Sequence, residues 1–331
     1  MLTNEQVIEE LLNLAKQIAA AHKEGDQLGL TADELAFYDA LTKPQAIKDF
    51  YENEELKDIM VEGFPVLEHT GGDGWTILHG DTLSIVRAFK PGVFDAVITD
   101  PPYASGGTKP SEKNRTTTQK YSSMRADKAL PDFDGDQKDQ RSWTRWMAEW
   151  LSDVRKACKA GAVLCVFIDW RMAPCLSDAI QWAGWIWRGQ VVWDKMTSRP
   201  QKGRYRQQSE YMLWASNGPL PIDRPVGCLP GVFRYTNPAK RIHVTEKPLQ
   251  LMRDIVHICV PGGRILDPFA GAGTTILAAV QEGYEAVGVE VTDAYYRLGG
   301  DRVRTALADG DVRTAEASNG EQGIQLDAQK R

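Results

Sequence analysis

The chain is poor in the features that mark membrane, disulfide-built or metal-held proteins. Its densest apolar run, residues 162–168, is far shorter than the roughly 20 residues a spanning helix needs. No charged-then-apolar leader opens the sequence. The cysteines are five, an odd number, and include no C-x-x-C pair. Cys158, Cys165, Cys175, Cys228 and Cys259 therefore read as core residues of a cytoplasmic protein with no bound metal and no disulfide framework. What is present is a 331-residue chain with 42% hydrophobic residues, enough to bury one large α/β domain or two ordinary ones.

Positive charge is scarce in one region and concentrated in another. Residues 1–74 carry 5 lysines against 16 acidic residues, a net of −11, whereas residues 186–245 carry 10 basic against 3 acidic, a net of +7. The overall charge of −6 hides this asymmetry. One region repels a polyanion and the other attracts it. Lys195, Arg199, Lys202, Arg204 and Arg206, with Tyr205 among them, form the densest basic cluster and are the candidate contacts to a polyanion's phosphates.

Residues 1–70 read as an acidic helical region. Val7, Ile8, Leu11, Leu12 and Ile18 recur at helical spacing behind a Thr3-x-x-Gln6 capping box. A second box, Thr31-x-x-Glu34, opens "TADELAFYDAL", and Pro44 starts a third helix carrying Leu56 and Ile59. After a turn at Gly71-Gly72-Asp73-Gly74 the pattern changes to short apolar strands alternating with helices, at residues 75–78, 96–99, 162–168, 186–193, 211–215, 264–266 and 286–289. Seven strands in that rhythm predict a doubly wound, mostly parallel α/β sheet over residues 71–305, followed by a disordered tail at 306–331. Trp143, Trp146 and Trp150 stand at i, i+3 and i+7, the spacing of a helix's buried face.

Two loops at strand ends carry the chemistry. In "RILDPFAGAGTTILAAV" a strand ends at Asp267, a tight turn holds Gly271 and Gly273, and a helix begins near Thr274. Ligands of an open parallel sheet sit beyond the carboxyl ends of its strands, where glycines let backbone approach closely. Glu290 ends the next strand, 23 residues after Asp267, near the spacing at which a carboxylate takes ribose hydroxyls. Ile276 stands where a dinucleotide fingerprint needs its third glycine, so pyrophosphate is the weaker ligand.

The second loop is Asp100-Pro101-Pro102-Tyr103, which "FDAVIT" runs into. Its prolines hold the backbone extended and remove two donors, leaving the Asp100 side chain and the Pro101 carbonyl as acceptors. An exocyclic base amine offers donors, so two acceptors can turn its lone pair toward an electrophilic methyl group. Tyr103 supplies a face on which a flipped base can stack.

"DPPY" and "DPFAGAGTT" resemble the catalytic and cofactor motifs of the amino-methylating DNA methyltransferases. The similarity spans residues 75–303 and has the catalytic motif ahead of the cofactor motif, as in the permuted β group. It implies a Rossmann-like methyltransferase domain, S-adenosylmethionine as cofactor, DNA as partner and an exocyclic amine as methyl acceptor. It also implies cofactor contacts from Asp267, Phe269, Gly271, Gly273, Thr274 and Glu290. "HGDTL" resembles the family's acidic motif, which implies that Asp81 meets the cofactor's adenine. His243-Val244-Thr245-Glu246-Lys247-Pro248 is similar to the element lining the methionine end, which implies contacts from Thr245 and Lys247. Asp at the tetrad's first position usually accompanies adenine N6 and Ser cytosine N4, so Asp100 favours adenine, with cytosine N4 the alternative. Methylation of RNA or of a glutamine side chain would favour Asn there. A non-catalytic DNA-binding relative is the remaining reading, opposed by the intact Asp100, Tyr103, Asp267, Gly271, Gly273 and Glu290.

"GLTADELAFYDAL" resembles the helical tail of type I restriction-enzyme motor subunits, which implies a restriction-system partner for residues 1–70. A homodimer is the other protein association considered. Residues 217–242, 26 residues with five prolines, stand where the family holds a recognition domain, and residues 104–141 form a long polar loop of net charge +2. So short a segment predicts short or relaxed sequence recognition.

Overall fold

The computed structural model describes residues 54–60, 68–104, 138–198, 200, 202–238 and 246–308. The helices expected before residue 54, most of the 104–141 loop, Arg199, His243, Thr245 and the tail beyond residue 308 lie outside the described residues.

A nine-stranded sheet organises the described chain, in the order β1-β2-β9-β8-β3-β4-β6-β5-β7. The strands are β1 (Glu68–Gly72), β2 (Trp75–His79), β3 (Phe94–Thr99), β4 (Cys158–Ile168), β5 (Ile186–Asp194), β6 (Ser209–Ser216), β7 (Val232–Arg234), β8 (Arg264–Asp267) and β9 (Glu285–Glu290). β1 and β6 run against the other seven. Interleaved are the helices α1 (Glu54–Ile59), α2 (Thr82–Val86), α3 (Gln140–Ala157), α4 (Ala173–Trp182), α5 (Leu249–Val256), α6 (Thr274–Gln281) and α7 (Asp293–Ala308). Among the described residues no helix is long and apolar enough to cross a membrane.

The period-2 geometry of a strand explains why the sheet has two cores. Along β4, Leu164, Val166 and Ile168 face one core while Val163, Cys165 and Phe167 face the other. The first is closed by α2, α3 and α4, through Trp143, Met147, Trp150, Leu176 and Ile180 among others. The second is closed by α5, α6 and α7, through Leu251, Ile255, Ile276 and Val303. Trp143 and Trp150 are fully buried, as their helical spacing requires, and Trp146 packs partly buried beside them.

The structure corrects the sequence expectations in several places. The sheet has nine strands where seven were expected. Gly71 and Gly72 are strand residues paired with Thr76 and Trp75, so only Asp73 and Gly74 make the turn, with Gly74 at φ 74°. "EHTGG" shows no apolar alternation because β1 is an edge strand held by its ladder. β7 lies inside the expected recognition segment and pairs with β5. Leu56, Ile59 and Met60, from the expected acidic helical region, are buried in the core that α2 and α3 close. The polar loop ends by Asp139, which caps α3, and α7 continues to Ala308, past residue 305. Cys158, Cys165, Cys175 and Cys259 are buried, but Cys228 is exposed.

Candidate active site at the carboxyl edge of the sheet

The order of strands sets the order of carboxylates. β9, β8 and β3 are neighbours and parallel, so Glu290, Asp267 and Asp100 emerge side by side at their carboxyl ends. β6 is antiparallel to β4, with Tyr211 opposite Ile168, so its first residues reach the same edge. Glu210 thereby joins the row from the far side.

Around β8 and β9 the carboxyl groups are held by neutral donors. Thr99 Oγ1 donates to Asp267 Oδ1 at 2.6 Å, and the Phe269 N–H does so at 3.0 Å. The Gly271 N–H donates to Glu290 Oε2 and the Thr292 N–H to Glu290 Oε1, both at 2.8 Å. Burial outweighs these bonds, pushing Asp267 up to about 6 and raising Glu290. Gly271 and Gly273 sit at φ 51° and 72°, a region open to glycine with little strain, and a Cβ on Gly273 would meet Val303 at 3.2 Å. Asp81 follows β2, next to β9, and its Oδ2 accepts from the N–H and hydroxyl of Ser84 at 3.0 and 3.1 Å, capping α2. The Phe269 ring packs against Trp146 and Trp150 at 5.4 and 5.2 Å.

Around β3 and β6 the groups are charged and bonded mainly to one another. Lys247, its side chain 6% exposed, donates to Asp100 Oδ2 and lies 2.9 Å from Glu210 Oε1. The Tyr103 hydroxyl contacts Asp100 Oδ1, and Glu210 Oε1 at 2.6 Å. Lys195 Nζ lies 2.6 Å from Glu210 Oε2 and 5.1 Å from the Trp193 ring centroid. Burial raises the Asp100 carboxyl against the pull of Lys247, with the charge of Glu210 adding to the rise. Burial alone would raise Glu210 too, but Lys247 and Lys195 hold it at about 2. The Lys247 ammonium is kept above its ordinary value by the two acids despite its burial. Burial and the two acids keep Tyr103 a neutral phenol. Of the two acids, Asp100 is the one raised and Glu210 the one lowered.

Two further contacts fix the loops. Trp143 Nε1 donates to the Pro102 carbonyl at 2.7 Å, tying the tetrad to α3. Arg302 donates to the Ala272 carbonyl at 3.1 Å and to Thr274 Oγ1 at 2.8 Å, and pairs with Glu246 at 2.8 Å. It thus links the glycine turn to the residue before Lys247.

The structure therefore brings Asp100, Tyr103, Asp267, Gly271, Gly273 and Glu290 to one edge, as expected. Lys247 meets Asp100, Glu210 and Tyr103. Lys195, grouped in the sequence with the candidate phosphate contacts, is paired with Glu210, while Lys202, Arg204 and Arg206 are exposed. Glu210 was missed by sequence reasoning. Its signal was an acid within the apolar strand "SEYMLWA", where an unpaired charge would be costly.

A family model described as DNA methylase matches residues 94–225 and 228–300, most of the chain. The chain belongs to the DNA methylase family. A second model, described as type I restriction enzyme HindI endonuclease subunit-like, C-terminal, matches residues 1–75 of this methylase. YubD of Escherichia coli (strain K12), named as a methylase, is 28% identical over 228 residues, covering 68% of this chain and 88% of its own. The type II methyltransferase M.ScaI of Streptomyces caespitosus is 23% identical over 261 residues, covering 66% and 78%. The methylase shares its fold with the solved structure of PvuII DNA methyltransferase (cytosine-N4-specific), at a TM-score of 0.53, 15% identity and coverage of 72% of this chain and 94% of that one.

Proposed function

We propose that the protein methylates N6 of adenine in DNA, on a base flipped out of the duplex to the ends of β3 and β6. S-adenosylmethionine is the cofactor, and DNA is the substrate of the family. The observation that carries the reading is the Asp100–Tyr103 tetrad at the end of β3, beside the Glu290 and glycine-turn half built on β8 and β9.

The residues around Glu290 suit the cofactor. A carboxylate offers about four lone-pair sites. Two backbone N–H groups take one on each oxygen and the Thr292 side chain takes a third, which leaves an acceptor for a ribose hydroxyl. Gly271 and Gly273 keep the turn free of side chains, so that a cofactor could approach its backbone. Bound S-adenosylmethionine would supply a sulfonium methyl group as the electrophile for the amine nitrogen, with the thioether as leaving group. Asp100 and the Pro101 carbonyl accept the amine's hydrogens, since the Pro102 carbonyl is taken by Trp143. Asp100 is also placed to take the proton that leaves the methylated nitrogen. Tyr103 stacks on the flipped base, offsetting part of the cost of extruding it.

Asp100 at the head of the tetrad supports adenine over cytosine. Mass analysis of nucleosides from treated DNA tests this: N6-methyladenine is expected, N4-methylcytosine would move the assignment, and no methylated nucleoside would sink it. The three-residue β7 and the prolines of 217–238 support short or relaxed recognition, because they leave little for reading a major groove. Long-read mapping of modified bases in a fully treated genome should show at most a few specified pairs. Methylation confined to one motif of about six base pairs, the scale that several bidentate contacts specify, would refute that. The type I-like match over residues 1–75 supports docking of that region to a restriction-system component.

A further inference from the structure

Asp100 faces a conflict that its neighbours must resolve. As an acceptor for the target amine it must share its two oxygens with Lys247 and Tyr103, which hold one lone pair on each. An amine arriving at either oxygen competes with the partner already there. Lys247 is buried, so a displaced ammonium has no water to turn to, and an unpaired buried charge is costly.

Glu210 stands ready for both displaced groups. Its Oε1 is already 2.9 Å from Lys247 Nζ and 2.6 Å from the Tyr103 hydroxyl, while its Oε2 is held by Lys195 at 2.6 Å. The carboxylate is thus fixed from behind, and its strand is paired on both sides, by β4 and β5. We propose that Glu210, backed by Lys195, is a positioning residue for methyl transfer: it retains Lys247 and Tyr103 when the target amine claims Asp100. This rests on the amino-methyl transfer reading above. A site held on rigid elements can exchange partners without repacking, which is what an incoming base requires.

The charged and titratable groups facing Asp100 are Lys247, Glu210 and Tyr103, with Asp267 on the neighbouring strand and Lys195 behind Glu210. Glu210→Gln removes a negative charge beside Asp100, so it should move the acid limb of the rate profile to lower pH. Lys195→Met removes a positive charge and draws Lys247 toward Glu210, so it should move that limb to higher pH. The experiment is single-turnover transfer of labelled methyl from S-adenosylmethionine to unmethylated plasmid DNA by the full chain, from pH 5 to 9. Cofactor binding and thermal unfolding are followed alongside. Glu210→Gln should bind cofactor within a few-fold of the unaltered protein and lose about 100-fold in rate, the scale of a misplaced reacting group, with little change in KM for DNA. Lys195→Met should lose less. Full rate in Glu210→Gln, or limbs that stay put or move together, would overturn the proposal. So would a Glu210→Gln loss confined to cofactor binding and folding while Lys195→Met behaves as the unaltered protein. No transfer by the unaltered protein would overturn the methyltransferase reading and this proposal with it, a result separable from failure in the variants alone.

Discussion

The two halves of the site hold their acids by opposite means. Around β8 and β9, Asp267 and Glu290 accept from N–H and hydroxyl groups, and burial lifts both above their ordinary values. Around β3 and β6, two lysines are set against two acids, and Glu210 is driven down to about 2. Neutral donors leave a carboxylate with unused lone pairs, so hydroxyls can be added without breaking anything. In the ion network the partners of Asp100 are charged or shared with Glu210, so a ligand that arrives there competes with groups bonded on to the next acid. The first arrangement suits steady binding of a cofactor, the second a base that arrives, reacts and leaves.

The largest separation of the halves should come from Asp100→Ala. Transfer to DNA is expected to fall by about 10³-fold or more, the scale of a lost acid–base group, with cofactor affinity changed only a few-fold by calorimetry. Near-normal transfer would remove Asp100 from the chemistry. Glu290→Ala tests the other half, where loss of hydrogen bonds to a charged group should weaken cofactor binding by about 10- to 100-fold. The pH profile of transfer at saturating cofactor should keep its shape, and a shifted acid limb would show that the halves are not independent.

Outside both halves, replacing Lys202, Arg204 and Arg206 by glutamine should leave cofactor affinity alone and flatten the salt dependence of DNA binding by roughly 0.9 for each phosphate no longer neutralised. An unchanged slope would return those residues to an ordinary solvated loop. The smallest effect expected on affinity comes from Asp267→Asn, whose signature is stability against pH. An acid raised to about 6 on folding binds its proton more tightly in the folded state. Its contribution is therefore full below about pH 4, the ordinary carboxylate value, and is lost as pH rises to about 6. Urea titrations should show the unaltered protein losing about 3 kcal/mol relative to the variant across that window. A constant difference would mean that Asp267 is not desolvated as described.

Much of the fold was legible because period and punctuation are local. All seven expected strands are present, and Asp100, Asp267 and Glu290 lie at strand ends because short apolar runs stop there. The tryptophans of α3 pack as their spacing requires. β1 and β7 were not legible, since one is glycine-rich and the other three residues long, and both are held by a neighbour's ladder. Cys228 went astray because a cysteine in a proline-rich segment carries no apolar pattern to place it.

The amino-acid sequence by itself determined the doubly wound plan, the two motif loops and their position at one edge of the sheet. Most contacts around Glu290 and Asp267 are short in sequence, with donors 2 or 19 residues away, although Thr99 comes from 168 residues off. Only the tertiary structure decided the other half. Tyr103 and Glu210 are 107 residues apart, and Lys247 and Asp100 are 147 apart. No spacing rule joins them, because their meeting depends on strand order and on β6 running backwards. A reversed strand delivers its first residues where its neighbours deliver their last, and in that way the unremarked Glu210 comes to stand between two lysines and a tyrosine.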